Sequence, residues 1–185
     1  MEERYSFFAY LEICFCFSVL YDFNPWLCGS QGFFYELKYI YIIVICLFIA
    51  LVLIIASAII LDSCGIGESD NQAGVDDAIE SYGIFMILPA CLFGPLVEEI
   101  VHRGLVLGFL KGEESGKVRT VIAIIVGAVL FGLIHCNFTD FSVTEILAVI
   151  PQMLMGLMFG IAYALSGNIF CPIAVHMVIN IIATI

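Results

Sequence analysis

Apolar runs broken by short polar stretches dominate this chain, and several are long enough to cross a bilayer. Tyr39–Leu61 is the clearest: an uncharged run of 23 residues, against the ~20 that a helix needs to span the hydrocarbon core. An earlier run, Tyr5–Tyr21, is shorter and carries Glu12. It leads into a stretch with Asn24, Pro25, Trp26 and Gln31, whose aromatic residues suit a membrane interface. Asp62 to Glu80 is the longest polar segment and is expected to be a loop. It holds Asp62, Glu68, Asp70, Asp76, Asp77 and Glu80 and no basic residue. Apolar sequence resumes at Tyr82 and continues to Leu110, too long for one span. Pro95 is expected to divide it, with a first segment ending near Gly94 and a helix starting around Pro95, because proline suits an early helical position.

Lys111 to Lys117 predicts a charged turn and Val118 to Cys136 a further span. Asn137 to Thr144 reads as a short loop. Two last spans, about Glu145 to Leu165 and Ile169 to Ile185, flank Ser166, Gly167 and Asn168. Gly104, Gly108 and Gly112 repeat every four residues, as do Gly156 and Gly160, a spacing that lets helices approach closely in lipid. The pattern predicts an all-α polytopic bundle of about six membrane segments, forming one integral membrane domain over residues 1–185.

Composition agrees. Of 185 residues, 63% are hydrophobic and 12% charged, about half the usual charged share of a soluble domain. The mean hydropathy is +1.12. So much apolar surface does not fit inside one small soluble core, and a disordered chain is excluded as well. Six Lys and Arg against 17 Asp and Glu leave no basic footprint for nucleic acid. Most of the eight cysteines lie in or beside apolar runs, as Cys46, Cys91, Cys136 and Cys171 do, and read as small core hydrophobes. Cys28 and Cys64 fall in predicted loops and could pair if both face an oxidising side. The N-terminal MEERY is acidic and no small-residue cleavage site follows, so no cleaved signal peptide is expected.

The informative positions are polar groups inside apolar sequence: Glu98, Glu99, Arg103, His135, His176 and Asn180. A charge at the bilayer centre costs ~2.5–3.5 kcal/mol on insertion scales, so such groups usually face a protein interior or a wet cavity. Glu99 and Arg103 are four apart with the acid first, the favourable order for an intrahelical pair. Glu98 lies about 100° around the helix without so direct a partner. Adjacent carboxylates oppose each other's ionisation, which suits Glu98 to take a proton. If the 111–117 turn joins antiparallel helices, Glu98 and His135 sit at similar depth, roughly 20 Å and 27 Å from it at 1.5 Å per residue. His176 and Asn180 are four apart and share a face. Cys136 points away from His135, so a Cys–His nucleophile is poorly supported. His102 is expected to be a satisfied interfacial residue.

These residues resemble a known family. Glu98-Glu99-Ile100-Val101-His102-Arg103 matches the EExxxR motif of the CPBP (Abi) membrane proteins, which include type II CAAX prenyl endopeptidases and bacteriocin-processing and immunity proteins. Phe131 to His135 matches their FxxxH motif, and His176 to Asn180 their HxxxN motif, in the same order. The resemblance covers roughly residues 95–180. It implies an intramembrane endopeptidase in which Glu98 and His135 activate a water, His176 and Asn180 stabilise the oxyanion, and Glu99 and Arg103 support them. No cofactor is expected in this reading. The alternatives are a zinc-dependent form with Glu98, His135 and His176 as ligands, a non-catalytic bacteriocin self-immunity protein, and a proton-relaying transporter. The implied partners are the lipid bilayer and a membrane-anchored peptide or protein substrate. The implied location is a multi-pass position in a prokaryotic cell membrane. Orientation stays open: Lys111, Lys117 and Arg119 favour a cytoplasmic 111–119 turn, whereas the resemblance implies a cavity open to the cytosol.

Overall fold

The computed structural model describes residues 37–111, 116–138 and 142–184, and all regular structure among them is helical. The predicted first span Tyr5–Tyr21, the aromatic stretch after it and Cys28 lie outside the described residues. Lys38–Ile185 form one compact unit.

Helix α1, Leu37–Ser63, matches the uncharged run. Its buried positions Cys46, Ala50, Ser57 and Leu61 follow a helical stripe, while Ile40, Val44, Phe48 and Ile55 point outward and are exposed. That inverted pattern is favourable only where the surroundings are lipid. Cys46, Cys91, Cys136 and Cys171 are buried free thiols, and Cys64 is an exposed one.

The segment expected as an acidic loop is in part a helix, α2, Asp70–Tyr82. Ser69 caps it by accepting a hydrogen bond from the Gln72 N–H at 3.3 Å, and Asp70 lies in the first turn, where a negative charge is favourable. No residue of α2 is buried, so the sequence holds no apolar stripe to betray it. Gly83, with φ of 54°, ends the helix in a conformation open to glycine.

The predicted division at Pro95 is absent. Residues Ile84–Leu110 form one 27-residue helix, α3, long and apolar enough to cross a membrane. Its turns widen to π-helical geometry at Pro89–Phe93 and again at Ile100–Leu107. The Gly94 N–H reaches back five residues to the Pro89 carbonyl, so the wide turn lets Pro95 continue the helix where a regular α-turn would clash.

Helix α4, Lys117–Leu133, follows. The expected span from Glu145 is two helices, α5 (Val143–Ala148) and α6 (Ile150–Ser166), stepped at Val149. A tight turn at Gly167, φ 65°, leads to α7, Phe170–Thr184. Helices α1, α3 and α5–α6 are long and apolar enough to span a bilayer, and the chain is an integral membrane protein.

Helix α6 packs along α4, on α7 and against part of α3. Glycines allow the closest contacts. A side chain added at Gly156 would meet Phe131 Cβ at 2.9 Å, one at Gly160 would meet Ile124 Cγ2 at 3.0 Å, and one at Gly132 would strike Met153. The predicted Gly156–Gly160 stripe therefore lies on a helix interface. Gly108 meets nothing and plays no such part. Phe131, Phe159, Met158, Ala162, Val175 and Ile179, joined by Cys46 and Ala50 of α1, form the core beside the polar cluster.

Candidate active site

Helix α3 presents two carboxylates and a guanidinium to its neighbours. Glu99 is fully buried and pairs with Arg103 at 3.0 Å, as the four-residue spacing predicts. Arg103 also donates to the carbonyl of Gly156 at 2.7 Å, and its guanidinium lies 5.0 Å from the Phe131 ring and 5.3 Å from the Phe159 ring. Two buried charges are thus neutralised, and the cation gains two aromatic faces. Gly156 makes this possible, since the absent side chain leaves room for Phe131 against its backbone.

His176, from α7, places Nδ1 3.1 Å from the same Glu99 oxygen that receives Arg103. A carboxylate can only accept, so Nδ1 carries the proton. The imidazole stacks on Phe159 with centroids 4.5 Å apart and meets the edge of Phe131. Its position and orientation are fixed on three sides, and Nε2 is left facing Glu98.

His135 follows the end of α4. Its Nδ1 lies 2.8 Å from the carbonyl of Phe131, which also can only accept. The Nδ1 proton is therefore committed, and the neutral ring carries its lone pair on Nε2. That nitrogen is 4.0 Å from Glu98 Oε2, and His176 Nε2 is 3.8 Å from the same oxygen. Both separations exceed a direct hydrogen bond and suit a shared bridging molecule. Glu98 Oε2 has no hydrogen-bond partner of its own. The Glu98 and His135 side chains keep 30% and 18% of their exposure while His176 keeps 3%, so the accessible side of the cluster is the Glu98–His135 side.

Asn180 shares the face of His176, as its spacing predicts, but its carboxamide is also used structurally. Nδ2 donates to the carbonyl of Ala90 at 2.9 Å. Ala90 lies five residues before Pro95, which has no N–H to offer in the widened turn, and Asn180 supplies the missing donor. His102 departs from expectation: it is 7% exposed, its Nδ1 has no partner, and its ring meets Phe131 edge-on at 5.1 Å. It is a buried residue with one unpartnered ring nitrogen, not a satisfied interfacial one. The aromatic bed of Phe131 and Phe159, the Gly156 carbonyl and the Ala90 carbonyl escape a reading based on ionisable residues alone. The glycine stripe and Pro95 are the signals that point to the last two.

Among the described residues, no group of three His, Cys, Asp or Glu side chains is placed to hold a metal ion. Of the three side chains considered as zinc ligands, Glu98 faces Nε2 of both His135 and His176, at 4.0 and 3.8 Å.

The family described as type II CAAX prenyl endopeptidase Rce1-like matches residues 80–182, more than half of the chain. Among curated proteins, "Putative membrane peptidase YdiL" of Bacillus subtilis is 29% identical over 117 residues, 63% of this chain and 43% of its own length. "Membrane-embedded CAAX protease MroQ" of Staphylococcus aureus is 32% identical over 91 residues, 48% of this chain and 34% of its own. The matched stretches thus make up less than half of either relative. No solved structure gives a significant match. The matched region holds α3, α4, α6 and nearly all of α7 with every residue of the polar cluster, and the chain belongs to the Rce1-like family of type II CAAX prenyl endopeptidases.

Proposed function

We propose that the chain is an intramembrane endopeptidase in which Glu98 and His135 activate a water against a peptide carbonyl. The observation that carries the reading is the Glu98 Oε2 atom, which lacks a partner and faces Nε2 of both His135 and His176 at 4.0 and 3.8 Å. A water held between Glu98 and His135 loses a proton to them, and its oxygen bonds to the carbonyl carbon. The second N–H of Asn180 is a donor for the resulting oxyanion, and His176, its Nδ1–H held by Glu99, donates through Nε2 once that nitrogen also carries a proton. The intermediate collapses as the C–N bond breaks, and the proton passes to the leaving amine. The products are a carboxylate and an amine, and no ion takes part.

The substrate in this reading is a membrane-associated peptide or protein. Helices enclose the site, so only an extended segment can bring its carbonyl to Glu98. An apolar anchor raises that segment's local concentration at the membrane. A hydrophobic leader-type peptide precursor is favoured over a prenylated CAAX tail. Purified protein in proteoliposomes, given a hydrophobic leader peptide, a farnesylated CAAX peptide and a folded soluble protein, tests this. Cleavage of an anchored peptide with the folded protein left intact supports it. Cleavage of the folded protein with no preference for anchored peptides overturns the access argument, and binding without cleavage favours an immunity role.

A further inference from the structure

Glu145 opens α5 in a sequence, Ser142-Val143-Thr144-Glu145, that has the form of a capping box. Half of the box is present: Ser142 Oγ accepts from the Glu145 N–H at 3.1 Å. In a complete box the glutamate would reach back to the backbone N–H of Ser142. Here its carboxylate turns elsewhere. Oε1 accepts the backbone N–H of Asn137 at 3.0 Å, and Oε2 that of Asp70 at 3.4 Å. Asn137 Nδ2 closes the arrangement by donating to Asp70 Oδ2 at 2.8 Å. Glu145 is buried, with 7% of its surface exposed.

The groups it joins belong to three separate segments. Asp70 is the first residue of α2, Asn137 lies two residues after His135, and Glu145 is in the first turn of α5. On its near side His135 is tethered to the end of α4, through Nδ1 to the Phe131 carbonyl and through its backbone N–H to that of Gly132. Without Glu145, Asn137 would lose the acceptor of its backbone N–H and keep its side-chain bond to Asp70. Because His135 Nε2 faces Glu98 across 4.0 Å, a small shift of this stretch changes whether one water reaches both.

We propose that Glu145 is a positioning residue: it clamps the segment after His135 to the first turn of α2 and so sets the distance between His135 and Glu98. This rests on the peptidase reading above. A clamp acting through His135 lowers kcat and leaves peptide binding alone. Glu145→Leu is expected to lower kcat by about 100-fold, the loss typical of a displacement near 1 Å, with little change in KM. Glu145→Gln keeps one accepting oxygen and is expected to fall between the two.

The test is kcat and KM for a hydrophobic leader peptide in proteoliposomes, together with amide hydrogen exchange of residues 135–137. Unchanged kcat, or a loss confined to KM or to melting temperature, overturns the proposal. If Glu145→Leu fails to fold, Asp70→Pro removes one clamped N–H, and with it the carboxylate that accepts Asn137 Nδ2, at a helical first position that accepts proline. Ser69 before it already has φ −70° and ψ 151°, as a residue preceding proline requires. A lower kcat is expected there too, and an unchanged one counts against the clamp. If the parent protein cleaves no peptide, the peptidase reading fails. Exchange then decides the clamp separately: faster exchange at 135–137 in Glu145→Leu supports it, and equal exchange overturns it.

Discussion

Glu99 and His176, 77 residues apart in the chain, meet at 3.1 Å on the carboxylate oxygen that also receives Arg103. One buried anion thus serves as counter-ion to a guanidinium and as anchor of an imidazole. Helices α3, α6 and α7 are joined through it, since Arg103 goes on to the Gly156 carbonyl. The two adjacent glutamates differ in surroundings: Glu99 is fully buried with Oε1 bound to Arg103 and His176, whereas Glu98 is partly exposed and faces two imidazoles.

Removing one member of that pair strands the other charge in the bundle. Glu99→Gln and Arg103→Gln should each destabilise the fold by about 3–5 kcal/mol, as broken buried ion pairs do. The double variant should recover part of the loss, because neither charge is then left alone. Thermal unfolding in detergent measures this. Single variants as stable as the parent would count against the pairing.

Much of this cluster was legible in the sequence because helical spacing is rigid. Glu99–Arg103 and His176–Asn180 follow from four-residue steps, and the common depth of Glu98 and His135 follows from rise per residue. What spacing does not carry is the environment of each group. His102 looks like any amphipathic histidine in sequence, and only packing against Phe131 shows it buried without a partner. Asn180 looks free, yet its use at Ala90 depends on a widened turn that sequence spacing based on 3.6 residues does not foresee. Helix α2 was hidden for another reason: it buries nothing, so hydropathy is silent, although Ser69 followed by Gln72 is a start signal in its own right. Val149 similarly steps the α5–α6 span without any apolar break to mark it.

His102 gives a prediction opposite in sign to those for the other polar residues of α3. Its Nδ1 is buried with no partner, and an unsatisfied buried polar atom costs ~1–3 kcal/mol. His102→Phe should therefore raise stability by about 1 kcal/mol, the low end of that range after some strain from the larger ring. Melting temperature read alongside peptide cleavage checks it. A clear loss of stability would mean that the imidazole has a partner after all.

The two glycines of α6 should not respond alike. A methyl group at Gly156 meets Cβ of Phe131, which is tied to the backbone and cannot step aside, whereas one at Gly160 meets the Cγ2 of Ile124. Gly156→Ala should cost about 1–3 kcal/mol and also reduce activity, because the Phe131 carbonyl holds His135. Gly160→Ala should be milder and leave activity near that of the parent. Equal effects on activity would break the link from Gly156 through Phe131 to His135.

In the proposed mechanism Glu98, with His135, generates the attacking water without a metal ion. The most direct measurement compares single-turnover cleavage of an anchored leader peptide by the parent, Glu98→Gln and His135→Ala proteins, each with and without 1,10-phenanthroline. The parent rate should survive the chelator, and each variant, still folded, should lose at least about 100-fold, the lower end of what a positioned acid–base group contributes. A Glu98→Gln protein that cleaves at close to the parent rate would contradict it. So would a parent activity abolished by chelation and restored by stoichiometric zinc.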